Sequence, residues 1–336
     1  VFSKVDLVVY NGDIIPRHGP GHTADRLLGN TKYAQTAWPL RLESTFSYLE
    51  NALPNARYYK YQDRVKFIEP GEELPVKVTL VPKTLKTPRI IAIEPSYMQY
   101  MQQGIAEQLV LCVSEDKLLK HFIGFSDQEP NQHLAQKGSV DGSLTTIDLS
   151  EASDRVSNRL VQNLLCNWPH LREAVESTRS TRADVPGRGI ISLTKFASMG
   201  SALTFPIEAI TFFVIALIGI QEALNRPLTF KDVMSLKGSV RIYGDDIIVP
   251  TEYADFVIGS LEAYGFKINR HKTFSKGYFR ESCGKEYYRG TDVSITKVRR
   301  IFPSSRGDTE EIVSATSLSN QLYFAGLWRG AAFVAN

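Results

Sequence analysis

Apolar and polar positions alternate with two different periods along this chain, and the changes of period mark out its elements. Apolar residues three or four apart at Trp38, Leu42, Phe46 and Leu49 predict a helix over 38–50. Further helices fit 96–111, 154–166 (capped by Ser150 or Ser153) and 253–264. A nearly unbroken apolar stretch predicts a longer helix over 199–223, interrupted early by Pro206. Its most apolar part, 209–220, has 12 uncharged residues. A bilayer-spanning helix needs ~20, so the expectation is a core helix and no membrane segment. Runs rich in β-branched residues predict strands at 76–81, 89–93 and 144–147, and strands separated by glycines over 266–300. The clearest signal is 239–250, where Val-Arg-Ile-Tyr, Gly-Asp and Asp-Ile-Ile-Val read as strand, two-residue turn, strand. Between these, 1–30 reads as loop carrying RHGPGHT (17–23), 54–75 as irregular or short strands, 123–143 as a polar linker, and 179–194 as a basic loop ending in a strand.

At 336 residues the chain has room for two or three compact units. Its 43% hydrophobic and 22% charged residues exclude wholesale disorder. Cys112, Cys166 and Cys283 are too few and too scattered for a disulfide framework, and none has zinc spacing, which points to a reducing compartment. Lys4 and Asp6 break the first apolar run, so no secretory signal is read. The chain begins at Val1 rather than Met and ends in the apolar AAFVAN, which reads as a fragment of a longer protein.

Net charge is only +3, and charge changes the picture locally. Segment 74–93 carries Lys77, Lys83, Lys86 and Arg89 and no acid, which suits it to anions unless it is an ordinary solvated face. Segment 267–300 has ten Lys or Arg against three acids, with Phe274, Tyr278, Phe279, Tyr287 and Tyr288 interleaved. Cations neutralise phosphates and rings stack on bases. Such rings are more often core, and at least three of the five are expected to be buried.

Asp245 and Asp246 close the hairpin, and no Lys or Arg lies between Arg241 and Arg270 to pair with them. Adjacent carboxylates at the end of an apolar hairpin must take a proton, find a base or bind a cation. The run 144–147 delivers Asp148 in the same way, with Asp154 six residues on. Side by side in one sheet, the two strands would bring Asp148 against Asp245 and Asp246. That oxygen-donor set suits Mg²⁺, with Mn²⁺ also accepted, and two such ions serve phosphoryl transfer. Asp-Asp at a hairpin is also ordinary turn chemistry, and spacing alone leaves both readings open.

Several segments in a fixed order bear on that choice. Tyr243-Gly244-Asp245-Asp246 resembles motif C of the RNA-dependent RNA polymerases, and DLSEASD, from Asp148 to Asp154, resembles motif A. Ser198-Met199-Gly200 with Thr204-Phe205 resembles motif B. Gly265-Phe266 through Lys272-Thr273-Phe274 resembles motif D, FRESCGK from Phe279 to Lys285 resembles motif E, and 81–95, with Lys83, Lys86 and Arg89, resembles motif F. The wording TIDLSEASDRVS, SMG…TF, YGDDII and FRESCGK is similar to the replicase catalytic subunit of levivirus-type positive-strand RNA bacteriophages, the Qβ and MS2 kind. Glu208 stands where many polymerases of this class carry Asn, a variation the phage type tolerates.

The resemblance implies an α+β right-hand polymerase fold whose palm is an antiparallel, ferredoxin-like sheet backed by helices. It implies fingers over 1–140, including the motif F-like 77–95. Palm follows over 141–166 and 196–278, with a fingers insertion at 167–195, and 279–336 holds motif E and the start of a truncated thumb. The implied activity is RNA-templated RNA synthesis, in which NTPs extend an RNA 3′ end by a two-metal mechanism, for replication of a phage RNA genome. Asp148, Asp245 and Asp246 are the implied ligands of two Mg²⁺ (or Mn²⁺) ions. Lys272 is the implied proton donor to pyrophosphate, with Lys276 a rival. Lys83, Lys86 and Arg89 are implied triphosphate contacts. Asp154 sits near the incoming ribose or, on the plainer reading, is a surface acid near a helix N-terminus. Ser198, Gly200 and Thr204 are implied to hold template and nucleotide sugar. His18 and His22 fit a structural loop near the template entrance better than a metal site. The implied partners are RNA template and product, NTPs and, as for related replicases, host elongation factors Tu and Ts and a small-subunit ribosomal protein. The implied setting is the host bacterial cytoplasm, without a membrane. Reverse transcriptase shares a Tyr-x-Asp-Asp turn, but Gly244 and FRESCGK argue against it. A non-catalytic RNA-binding fragment is a third reading.

Overall fold

The structure is a computed structural model that describes residues 1–53, 55–82 and 88–335. Its centre is an antiparallel three-stranded sheet of Leu144–Ile147, Asp246–Pro250 and Arg241–Tyr243, with Asp246–Pro250 in the middle. Pairing of Ile247 with Ile147 and of Ile247 with Ile242 sets the register. The central strand is apolar on both faces because both are covered. Ile247 and Val249 join the main core with Phe212 and Ile215, whereas Ile248 faces the other way, into a small cluster with Leu144, Ala135 and Tyr287.

Helix Thr204–Leu224 supplies the first cover, with helix Ala254–Ala263 packed on it. It is long and apolar enough to cross a membrane, yet 12 of its residues are buried in the core. It starts later than expected, after a turn over 199–203, so Pro206 falls in the first turn, where no helical hydrogen bond is lost. Helix Glu129–Asp141 supplies the second cover, where the sequence predicted a linker. Its Pro130 and Gly142 are not linker residues. They mark its two ends, Pro130 in the first turn and Gly142 as a left-handed C-cap at φ 69°.

A four-stranded sheet stands beside this centre in the order Pro88–Ile93, Val76–Pro82, Arg182–Val185, Gly189–Ser192. The expected basic loop at 179–194 is therefore a hairpin. A third sheet, Phe279–Ser282, Lys285–Tyr288 and Thr291–Asp292, packs on helix Glu129–Asp141. Its fully buried Arg280 donates to the carbonyls of Leu144, Gly277 and Phe279.

Other local expectations also change. Residues 1–30 contain a helix, Phe2–Tyr10, packed on helices Ser96–Glu115 and Pro169–Ser177. The helix expected over 38–50 is a strand, Ala37–Pro39, and two single turns, Leu40–Glu43 and Tyr48–Asn51. Trp38, Leu42 and Phe46 are buried as their spacing implied, but Pro39 holds Trp38 extended, where it pairs with Phe67. The helix expected over 154–166 breaks at Val156 into Ala152–Arg155 and Asn158–Leu164. Its cap is Ser157, whose side chain accepts from the Leu160 amide, and neither Ser150 nor Ser153 caps it.

Candidate active site

Strand register decides what meets at the sheet edge. Because Ile147 pairs with Ile247, the register carries the next residue, Asp148, opposite Asp246 and so next to the turn at Gly244 and Asp245. Gly244 has φ 59°, and a Cβ there would lie 2.4 Å from the Phe205 ring, so glycine lets the start of helix Thr204–Leu224 press under the turn. Asp245 is exposed to a cleft of about 720 Å³ and has no hydrogen bond or ion pair among the described residues. Asp148 lines the same cleft. Its Oδ2 accepts from Asn269 Nδ2 at 2.7 Å, and its carbonyl accepts from the Asn269 amide at 2.9 Å. Burial pushes the Asp148 carboxyl up from its ordinary pKa. Lys272 and the Asn269 bond oppose that rise, and the charges of Asp245 and Glu281 add to it.

Asp246 behaves differently. As the first residue of the returning strand it points away from its neighbour. Its Oδ1 accepts from the Cys283 amide at 3.1 Å and from Ser282 Oγ at 3.2 Å. Burial pushes its pKa up to about 6, against the pull of the Cys283 amide and with the repulsion of Asp245. The trio expected at one edge thus divides. Asp148 and Asp245 face the cleft, and Asp246 is tied to the hairpin tip. Among the described residues, no group of three or more His, Cys, Asp or Glu side chains is placed to hold a metal ion. The hard oxygens of Asp148 and Asp245, one of them without a protein partner, still fit a hard divalent cation.

The remaining walls come from distant parts of the chain. Arg89 and Ile90 form one side, Asp154 and its neighbours another, and Gly200, Thr204 and Lys272 complete the lining. The loop before helix Thr204–Leu224 is pinned to the basic strand, since the Ala92 amide donates to Met199 O at 2.8 Å. Gly200 sits at φ 138°, and a Cβ there would lie 2.0 Å from the Ala92 carbonyl oxygen. Thr204 Oγ1 donates to Ser198 O at 2.8 Å, which leaves Ser198 buried behind the loop, off the cleft lining. Asp154 forms a 2.6 Å ion pair with Lys195. Lys272 stands 3.6 Å from Glu281. Lys83 and Lys86 lie outside the described residues, and Lys276 is exposed off the cleft lining.

Two residues at or beside this site, Asn269 and Lys195, were not singled out by sequence, and a third, Glu208, was noted there only as a departure from the common Asn. Asn269 orients Asp148 only because Lys267–Ile268 pairs with Leu149–Ser150, a long-range register with no local signal. Lys195 reaches Asp154 across 41 residues. Glu208 did leave a signal, as a lone acid in an apolar helix. It is buried, it lines the cleft, and burial, with the charges of Asp245 and Asp154, pushes its pKa up to about 8. His18 stacks on Tyr100 at 4.4 Å, and burial lowers its pKa to about 4, in keeping with a structural loop.

The interleaved aromatics are less buried than expected. Tyr287 alone of the five is buried, Phe274 and Phe279 are half-buried against each other, and Tyr278 and Tyr288 are exposed.

The family model "RNA replicase, beta-chain" matches residues 59–306. The RNA-directed RNA polymerase beta chains of Enterobacteria phage fr and Escherichia phage MS2 are each 41% identical over 223 residues, which is 66% of this chain and 37% of theirs. The corresponding beta subunit of Escherichia virus Qbeta is 38% identical over 224 residues, 66% of this chain and 35% of its own. This chain therefore spans little more than a third of the length of these curated relatives. The RNA-dependent RNA polymerase of a human picorbirnavirus superposes with a TM-score of 0.53 at 12% identity, covering 77% of this chain and 55% of that one, so the fold is that of a right-hand polymerase. With a carboxylate-edged sheet in that fold and a family match over most of its length, the chain belongs to the RNA replicase beta-chain family.

Proposed function

We propose that this chain carries the catalytic core of an RNA-directed RNA polymerase, which extends an RNA 3′ end from NTPs on a phage RNA template. One observation carries the reading. Two carboxylates from neighbouring strands, Asp148 and Asp245, share a cleft with two cations, Arg89 and Lys272, and that charge pattern fits a nucleoside triphosphate with its counter-ions. In this reading 141–166 and 196–278 are palm, 1–140 and 167–195 are fingers, and the thumb opens at 279.

Asp148 and Asp245 would hold the divalent ions, two Mg²⁺ or Mn²⁺, with Asp246 close behind in the hairpin. When bound, such ions neutralise phosphate charge and act as Lewis acids. The chain's own groups do the rest. Asn269 fixes the rotamer of Asp148. Arg89 binds the triphosphate. Lys272, an ammonium in the cleft wall, donates a proton to the leaving pyrophosphate. Asp154, held by Lys195, accepts from the ribose 2′-hydroxyl. Gly200 and Thr204 shape the floor under sugar and template.

The relatives are named beta chains, so the working enzyme is an assembly. Its other members are proposed to be host elongation factors Tu and Ts and a small-subunit ribosomal protein, in the bacterial cytoplasm. The test is RNA-templated incorporation of labelled ribonucleotides with Mg²⁺, by the parent and by Asp245→Asn. Incorporation that is lost in the variant supports the reading. Equal incorporation by both overturns the site, and preference for deoxyribonucleotides overturns the substrate.

A further inference from the structure

The structure sorts the ten cations between residues 267 and 300. Arg270, Lys272, Lys285, Lys297 and Arg300 each face a carboxylate within 4.0 Å. Arg280 is buried on backbone carbonyls. Lys267, Lys276, Arg289 and Arg299 have no acidic partner among the described residues, and two of these, Lys276 and Arg289, flank one hairpin. Both fall at the same end of the hairpin Phe279–Ser282/Lys285–Tyr288, opposite the Cys283 tip that holds Asp246.

At that end the Arg289 guanidinium carbon lies 4.8 Å from the Tyr278 ring centroid and 5.6 Å from that of Tyr288. Tyr278 and Tyr288 are each 45% exposed. The turn that presents Arg289 is fixed. Its backbone is left-handed at φ 49°, the Gly290 amide donates to Ser139 Oγ at 2.9 Å, and Gln136 Nε2 donates to Gly290 O at 2.8 Å. Exposed cation–ring pairs add little to stability, so the fold gains little by holding this one in a left-handed turn.

We propose that Tyr278, Tyr288 and Arg289, with Lys276, form a platform for single-stranded RNA outside the cleft. The rings stack on unpaired bases, and Lys276 and Arg289 meet phosphates. An A-form duplex hides its base faces, so the chemistry selects an unpaired strand. The proposal rests on the reading that RNA is the substrate, and adds a second contact for it.

The test is fluorescence anisotropy of a labelled single-stranded RNA of about 12 nucleotides binding the full chain at fixed salt. Tyr278→Ala with Tyr288→Ala should weaken binding at least ~10-fold, whereas Tyr278→Phe with Tyr288→Phe, which keeps both faces, should stay within about two-fold. The surface pair Lys276→Glu and Arg289→Glu should weaken binding and flatten its salt dependence. Unlabelled duplex of equal length should compete poorly. Parent-like affinity in the alanine and glutamate variants, or equal competition by duplex, overturns the platform. Failure of the catalytic reading looks different, because a chain that incorporates nothing would still lose RNA affinity in these variants. A chain active through Asp245 but with parent-like binding in every platform variant sinks the platform alone.

Discussion

Replacing Gly200 by alanine should unlatch the loop under the cleft. The added Cβ would lie 2.0 Å from the Ala92 carbonyl oxygen. A carbon approaches a carbonyl oxygen no closer than about 3.3 Å, so strand and loop must part by roughly 1.3 Å. No side-chain rotation relieves this, because the obstacle is backbone. Parting breaks the 2.8 Å bond from the Ala92 amide to Met199 O and leaves a buried N–H unmet, at about 1–3 kcal/mol. The left-handed φ of 138° adds about 1–3 kcal/mol of backbone strain for any residue with a Cβ. The sum is about 2–6 kcal/mol, and local detachment of the loop caps it toward the lower end. Urea unfolding of Gly200→Ala should show a lower midpoint at unchanged slope, and nucleotide KM should rise more than kcat falls. An unfolding free energy within about 0.3 kcal/mol of the parent's would refute the close approach of Gly200 to Ala92.

Three further outcomes follow from the same geometry. Asp245 is exposed and has no partner among the described residues, so Asp245→Asn should leave thermal stability within about 0.5 kcal/mol while incorporation is lost, and a large drop in Tm would mean that Asp245 is structural. The buried Glu94 carboxyl is pushed from 4.5 up to about 7 by burial, against the Ser180 hydroxyl, the Gln102 amide and the charges of Arg179 and Arg41. The folded chain therefore keeps a proton that the unfolded chain sheds above 4.5. Parent stability should fall relative to Glu94→Gln by about 3 kcal/mol as pH rises from 4.5 to 7, and a difference that does not change with pH would contradict the burial argument. Arg280→Met should cost about 2–4 kcal/mol by stranding the Leu144 and Gly277 carbonyls, measurable by urea titration, and parent-like stability would show that those bonds are dispensable.

The parts that could be read in sequence were those encoded locally. The hairpin around Gly244 and the strand ending at Asp148 follow from period-two runs closed by a turn, and both stand where expected. The core helix followed from its apolar length, with its start misplaced by the turn over 199–203. Helix Glu129–Asp141 was hidden because its apolar face is narrow, with Ala135 and Leu134 against a small cluster. At 38–50 the burial was right and the conformation wrong, since Pro39 overrode the spacing. Within the site, Asp148 and Asp245 were legible as strand-end acids, but the turning away of Asp246 was not. It depends on Cys283, 37 residues downstream, presenting an amide. Asn269 and Lys195 were invisible for the same reason, since only the folded register brings them to their partners.

The central sheet also has a history in time. Leu144–Ile147 must wait for Asp246–Pro250, about a hundred residues later, before either edge of its backbone finds that partner. The cleft as a whole draws on residues from Pro88 to Lys272. A ribosome emitting about 5–20 residues per second takes roughly 10–40 s to release that span. Once Ile147 has emerged, helix Glu129–Asp141 is already synthesised and faces a strand whose central partner is still missing. The nascent chain then exposes an apolar edge but has no cleft to bind with, so its aggregation hazard comes before its chemistry.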